Sequence, residues 1–197
     1  MERSKYEILK IQTRNSALIW KELRGIVDSK VANKMDKAML DWMVELTNCL
    51  SIWIDKGEDM TVGELILART NLGALVESWL KFFYCVFYID YLKDAKPNSK
   101  GKIIEPENMK LEKLKEFSNG KLWDDKSSKE YIWVDKIQSM RNSIHIFNYR
   151  DIGSNQEFMN DLEEYYSFVD NILSHFPPVE DSLGFYPEGY VNNIYFE

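Results

Sequence analysis

One short run of the chain carries side chains suited to acid–base chemistry on a phosphate: Arg141, Asn142 and His145. On a helix, Arg141 and His145 are four positions apart and share a face, with β-carbons roughly 6 Å apart. An arginine at that distance favours the neutral imidazole, the form that accepts a proton at neutral pH. The guanidinium is also a planar phosphate ligand, and the Asn142 amide both donates and accepts hydrogen bonds.

These residue types suit metal-independent RNA cleavage without a cofactor. The His145 imidazole would take the ribose 2′-OH proton, and Arg141 would stabilise charge on the attacked phosphate. One imidazole leaves the departing 5′ oxygen without a proton donor, which the second subunit of a symmetric homodimer can supply. Tyr149 and Arg150 follow closely and are candidate RNA-binding residues, although Tyr149 equally suits anchoring the turn after the helix.

The same residues also fit a structural role. Arg141 could pair with Asp135, Asp151 or a carboxylate at a helix end, and His145 could hydrogen-bond a backbone carbonyl near the helix end. Several other chemistries lack their residues altogether. The chain has two histidines, neither with a Glu three positions earlier, and it has no Cys-x-x-Cys, Walker A loop, nucleophile elbow or dinucleotide-binding fingerprint. The sequence therefore predicts no metal site.

The charge balance restricts the partners. The chain has 25 basic and 32 acidic residues, a net charge of −7, which argues against non-specific binding of duplex DNA. Four of the acidic residues and no Lys or Arg lie in residues 177–197, so the remainder is closer to neutral and is compatible with a local RNA site. Residues 82–89, the longest uncharged stretch of the most apolar segment, are too few to span a bilayer. With no evident signal peptide and two cysteines in apolar patterns, we expect a cytoplasmic protein that does not enter the membrane.

Helical periodicity dominates the chain and predicts an all-α, up-and-down bundle of about five to six helices. Capping boxes at Thr61–Glu64 and Ser154–Glu157 mark two helix starts, and Gly73 is a possible bend. One helix is predicted to extend past His145, with Ile144 and Phe147 on its inward stripe. The predicted helices cover residues 5–27, 30–56, 61–93, 109–118, 129–148 and about 155–175.

Two units are expected along the chain. Residues 1–176 form the bundle, and residues 177–197 form an extended, acidic segment with five aromatic side chains. Aromatic rings are not needed in a solvated tail, so we expect this segment to pack on the bundle or on a partner.

At Arg141, Asn142 and His145 the sequence resembles the HEPN superfamily of helical bundles. Its signature is an Arg, usually followed by a polar residue such as Asn, and then a His after four to six residues. Here three residues separate Arg141 from His145, one fewer than usual. The resemblance implies an up-and-down bundle, often a dimer with facing motifs. Many members are RNA-cutting toxins or effectors of antiviral defence, and others are non-catalytic.

The sequence thus leads to one expectation with one main alternative; a third hypothesis, small-ligand binding inside the aromatic-rich bundle, has no specific polar signature. The expectation is a metal-independent endoribonuclease of a toxin or antiviral-defence system, in which Arg141, Asn142 and His145 are catalytic and a neutralising or regulatory protein is a further partner. The alternative is a non-catalytic, HEPN-like interaction or regulatory bundle in which the same residues maintain a helix junction or a dimer face.

Overall fold

A computed structural model describes residues 1–179. The regular secondary structure in this range consists of helices without any strand, which confirms the all-α prediction. The helices are more numerous than the five to six expected, because two of the predicted long helices are broken. Short 3₁₀ turns lie at Gly57–Asp59, Pro106–Asn108 and Asn142–Ile144. The α-helices are α1 Arg3–Lys21, α2 Ser29–Lys37, α3 Leu40–Asn48, α4 Leu50–Lys56, α5 Val62–Val86, α6 Tyr88–Asp94, α7 Leu111–Phe117, α8 Lys129–Arg141 and α9 Asn155–Ser174.

Helix α5 is the centre of the fold. It begins as predicted at a capping box, in which the Thr61 hydroxyl accepts from the Glu64 N–H and the Glu64 carboxylate accepts from the Thr61 N–H. It packs against α3, α4, α7, α8 and α9. Its apolar side chains face neighbours on most sides, which is why it is buried along most of its length. Those with 4% exposure or less include Leu65, Ala68, Leu72, Leu75, Val76, Trp79 and Leu80.

The prediction of one continuous helix over residues 30–56 is wrong, because α2, α3 and α4 lie there instead. The chain turns between α2 and α3 at Ala38, whose backbone is extended, and Met39, which follows this turn, is 57% exposed. The helix is interrupted again at Cys49, between α3 and α4. The Asn48 carbonyl just before this break accepts hydrogen bonds from the Tyr6 hydroxyl (2.8 Å) and the Ser51 hydroxyl (2.9 Å).

Helix α5 is continuous through Gly73, the position of a possible bend, and a 90° bend lies at Phe87, between α5 and α6. The Phe87 ring packs against Phe83 and Phe176, with ring centroids 4.8 and 6.4 Å apart. Packing of this ring against the core accounts for the position of the bend, a tertiary effect that the local sequence does not encode.

The end of α9 closes the core. His175 follows the helix, and its Nδ1 atom lies 2.7 Å from the Asn171 carbonyl oxygen. Phe176 then packs edge-on against Trp20 and Phe82 at centroid distances of 5.5 and 5.2 Å. The predicted acidic, aromatic segment lies, from residue 180 onward, outside the described residues.

Candidate functional site

Helix α8 ends at Arg141, and this corrects the predicted helix through residue 148. Asn142–Ile144 form a 3₁₀ turn, and His145 has φ −87° and ψ 79°, outside the helical region. The buried Ser143 hydroxyl donates to the Met140 carbonyl at 2.6 Å, so it serves a carbonyl that the last helical turn leaves free. Arg141 and His145 are therefore not one helical turn apart. The expected effect of Arg141 on the protonation of His145 depends on that spacing and loses its basis.

Arg141 is bound to a carboxylate that the sequence analysis did not identify. Its guanidinium pairs with Glu77 of α5, and Lys81 of α5 pairs with the other oxygen of Glu77 at 2.7 Å. The three side chains are 30%, 16% and 28% exposed, respectively. Burial tends to raise the pKa of Glu77, but the hydrogen bonds and charges of Lys81 and Arg141 outweigh it and lower that pKa. Glu77 thus stays ionised at neutral pH and competes with any phosphate for Arg141.

The stem of Arg141 lies directly on Gly73. A β-carbon built on Gly73 would lie 2.5 Å from the Arg141 Cβ and 2.6 Å from its Cδ, closer than real carbon atoms approach. Any side chain at position 73 would therefore push the end of α8 away from α5. The role of Gly73 is close approach, and Arg141 joins α8 to α5 through both its charge and its stem.

The chain after this anchor is turned out to solvent. Ile146, Phe147 and Tyr149 are 77%, 97% and 95% exposed, and Ile144 is 42% exposed. The prediction that Ile144 and Phe147 belong to an inward stripe is wrong, because that stripe requires the helix to continue. We refer to residues 144–150 as the exposed segment. It also holds His145 and Arg150, both exposed, whereas Asn142 is half-buried at the end of α8.

Three of the predicted site residues, His145, Tyr149 and Arg150, lie in the exposed segment. Arg141 and Asn142 come just before it in the chain and are half-buried. The Asn142 carbonyl accepts from the His145 N–H at 3.1 Å, which is the only bond we find between these five residues within residues 1–179. Asp135 and Asp151, the two residues named as partners for Arg141, do not pair with it. Asp135 pairs with Lys115, and Asp151 accepts from the Gly153 N–H.

A second arginine network, which the sequence analysis missed, fixes the other end of the exposed segment. Arg69 of α5 and Asp161 of α9 form a buried ion pair and are 1% and 2% exposed. Asp161 also accepts from the Trp133 indole at 3.1 Å and from Lys136 at 2.8 Å. The Arg69 Nε–H donates to the Ile152 carbonyl at 3.1 Å. The signal that could have revealed this network is the position of Arg69 on the apolar stripe of α5, one position after Ala68 and three before Leu72.

Residues 1–179 hold no grouping of three or more His, Cys, Asp or Glu side chains that could bind a metal ion. In the same range, no single helix is long and apolar enough to cross a membrane. Helices α5 and α6 together have that length and composition, but the chain bends by 90° between them.

Comparison of the chain with models of protein families, with curated protein sequences and with solved structures gives no match.

Proposed function

We propose that the protein is an interaction module that forms a symmetric homodimer through the exposed segment. The observation that carries the proposal is the exposure of Ile146, Phe147 and Tyr149, at 77–97%, within four consecutive residues. Large apolar side chains that cluster on a surface mark a contact with another molecule more often than isolated ones do. The dimer was expected from the sequence as a way to complete a nuclease site, and here its support is the apolar surface itself.

The area of this surface is a substantial part of what a dimer needs. A stable interface buries about 800 Å² on each partner. A large aromatic side chain contributes about 150–250 Å² when it is buried. Phe147 and Tyr149, both almost fully exposed, therefore supply roughly half of such an interface, and Ile146 adds to it. Buried aromatic side chains also carry a large share of binding energy in protein interfaces.

A second copy is favoured as the partner because the charges of the surface complement each other. Arg150 and Asp151 are adjacent and exposed, and they carry opposite charges. In a two-fold contact the same patch meets itself, so Arg150 of one subunit can face the partner's Asp151, and the reverse. The contact then brings together apolar rings without placing like charges opposite each other.

The exposed segment is held at both ends, which reduces the entropy lost on binding. At its start, Arg141 and Gly73 fix the end of α8 to α5. Just after its end, the Ile152 carbonyl is fixed by the buried Arg69 side chain. The apolar side chains are therefore presented from a defined base.

Sedimentation equilibrium tests this proposal. The wild-type chain should have twice its 23.3 kDa mass, and the double variant Phe147→Ser with Tyr149→Ser should have the single mass with an unchanged helical circular dichroism spectrum. A matched control removes equal numbers of exposed apolar side chains elsewhere, Leu18→Ser with Ile132→Ser, which are 47% and 57% exposed, and should remain a dimer. A monomeric wild type, or equal dissociation of both double variants, would contradict the proposal.

A second candidate function is the metal-independent endoribonuclease of a toxin or antiviral-defence system. The observation that favours it is the exposure of His145 in the same segment as Arg150, for which we find no ion pair within residues 1–179. In the proposed dimer the two His145 imidazoles belong to one interface, where one can act as base and the other as acid. Arg150 then contacts the phosphate, because Arg141 is bound by Glu77. A neutralising protein would cover this same segment.

Cleavage of RNA in EDTA distinguishes the two functions. The nuclease predicts cleavage by wild type and its loss, about 100-fold or more, in His145→Ala, since general acid–base catalysis contributes about 10²–10⁴-fold. Arg150→Ala should weaken cleavage further than Lys30→Ala, a matched loss of one exposed positive charge on α2. A dimer that leaves RNA intact supports the non-catalytic interaction module.

A further inference from the structure

A groove on another face of the molecule lies between α2, α3 and α5. It has a volume of about 450 Å³, within the range typical of pockets for small molecules. Its apolar lining includes Met35, Met39, Trp42, Met43, Leu46 and Phe82. Trp42 and Met39 stand at its mouth and are 66% and 57% exposed. The turn at Ala38, which breaks the predicted helix, separates α2 from α3 and opens this space.

Three lysines and one acidic residue are among the residues that line the groove: Lys34, Lys37, Lys81 and Glu107. Lys34 and Lys81 are held by ion pairs with glutamates. Lys37 is exposed, and within residues 1–179 we find no ion pair for it. The groove therefore combines an apolar interior with a cation at its edge that is available to a ligand.

We propose that this groove binds a single-chain fatty carboxylate, with the alkyl chain inside the groove and the carboxylate near Lys37. Three of its lining residues are methionines, whose flexible thioethers adapt to an alkyl chain. A single anionic head complements the one lysine of the lining for which we find no ion pair within residues 1–179, Lys37. This site is separate from the exposed segment and does not depend on the proposed dimer.

Calorimetric titration of the full chain below the micelle concentration tests the ligand class. The probes are dodecanoate, 1-dodecanol and dodecylammonium, which share an alkyl chain and differ in the charge of the head. Dodecanoate should bind most tightly, and the ammonium probe should bind least tightly. Equal affinity for the three probes, or preference for the ammonium probe, would overturn the proposal.

Two matched pairs of variants locate the site. Lys37→Glu should weaken dodecanoate binding about three- to tenfold, as expected for reversing one exposed charge, whereas Lys30→Glu, on the same helix but outside the groove, should leave it unchanged. Met39→Glu places a carboxylate at the mouth and should weaken binding further than Ile52→Glu, a substitution at a 47% exposed position of α4. Equal effects within either pair would overturn the site. Dissociation of a dimer by Met39→Glu would instead make a second copy the occupant and would equally overturn the proposal.

Cys85 supplies a second readout because its side chain lines the groove. In a Cys49→Ser background it is the only cysteine in the chain. Burial raises the pKa of its thiol to about 12, so an uncharged, apolar disulfide reagent at alkaline pH is the suitable label. Dodecanoate should slow this labelling severalfold. Binding of dodecanoate without any protection of Cys85 would place the ligand elsewhere and contradict the proposal.

Discussion

Two arginine–carboxylate pairs join α5 to the C-terminal helices, and they differ in how completely their charges are enclosed. Arg69 and Asp161 are almost fully buried, and Asp161 is hydrogen-bonded by a tryptophan and a lysine as well. Arg141 and Glu77 lie at the edge of the core, where Arg141 keeps 30% of its side chain exposed. A buried pair of this kind is costly to break, because loss of one partner leaves the other charge without water or counter-ion. The outer pair keeps access to water and to a competing ligand.

The two ion pairs hold different parts of the molecule. The Arg69 centre belongs to the core and holds the Ile152 carbonyl that follows the exposed segment. The Arg141 centre fixes the end of α8 from which that segment departs. The inner pair is therefore expected to control folding, whereas the outer pair controls the position of a surface whose own residues do not contribute to the core.

The largest expected effect is on the buried pair. Asp161→Asn leaves the Arg69 guanidinium buried without its counter-charge and should lower the free energy of unfolding by about 3–5 kcal/mol. Glu163→Gln on the same helix is the matched control: its pair with Lys5 is 37% and 42% exposed, and such pairs contribute less than about 1 kcal/mol. Urea unfolding at pH 7 measures both. Similar losses in the two variants would remove the distinction between a structural and a peripheral ion pair.

The next effect concerns the close approach at Gly73. Gly73→Ala places a methyl group against the Arg141 stem and should destabilise the fold by about 1–3 kcal/mol, the usual cost of overpacking. Gly63→Ala, in the same helix with open space around the new β-carbon, should leave stability unchanged or raise it slightly. If the two alanine variants unfold at the same urea concentration, α8 does not depend on Gly73 for its contact with α5.

A smaller effect follows from the ionisation of Glu77. A carboxylate whose pKa is lower in the folded chain stabilises the fold above its unfolded value, here 4.5, and this contribution is lost as the pH falls through the folded value. Glu77→Gln should therefore cost about 1–2 kcal/mol at pH 7. The difference from wild type should narrow at pH values below 4.5. Urea unfolding at pH 7 and at pH 3 measures it, and a difference that is constant with pH would contradict the role of the ionised Glu77.

The smallest effect on stability is expected in the exposed segment. Phe147→Ser and Tyr149→Ser remove side chains that are 97% and 95% exposed, so each should change the free energy of unfolding of the monomer by less than about 0.5 kcal/mol. Unfolding should be measured at a protein concentration where the chain is monomeric, since dimerisation itself stabilises the fold. A loss above about 1 kcal/mol would show that these rings pack within the subunit.

The parts of the fold that depend on local chemistry were predictable from the sequence. Thr61 with Glu64 and Ser154 with Glu157 form capping boxes at the starts of α5 and α9, as predicted, because a cap is satisfied by residues three positions apart. The broken helices were not predictable in the same way. The bend at Phe87 depends on rings that are distant in sequence, among them Phe176.

The candidate site, too, was predictable only in part. The exposed run of His145, Tyr149 and Arg150 was identified by residue type, but its exposure follows from the end of α8, where Ser143 serves the Met140 carbonyl. The partner of Arg141 was not identified, because Glu77 lies 64 residues away in sequence. Periodicity places side chains around one helix axis and does not say which helices meet.

Chemical cross-linking tests most directly whether the exposed segment lies at a two-fold interface. Asn148 belongs to this segment and is exposed without being one of its apolar side chains, so Asn148→Cys in a Cys49→Ser background provides a reactive thiol there. Treatment with a short bismaleimide should give a covalent dimer of twice the chain mass within minutes. The same background with Leu18→Cys, on α1, should remain monomeric under denaturing electrophoresis. Equal cross-linking of the two variants, or none at Asn148→Cys, would contradict the claim.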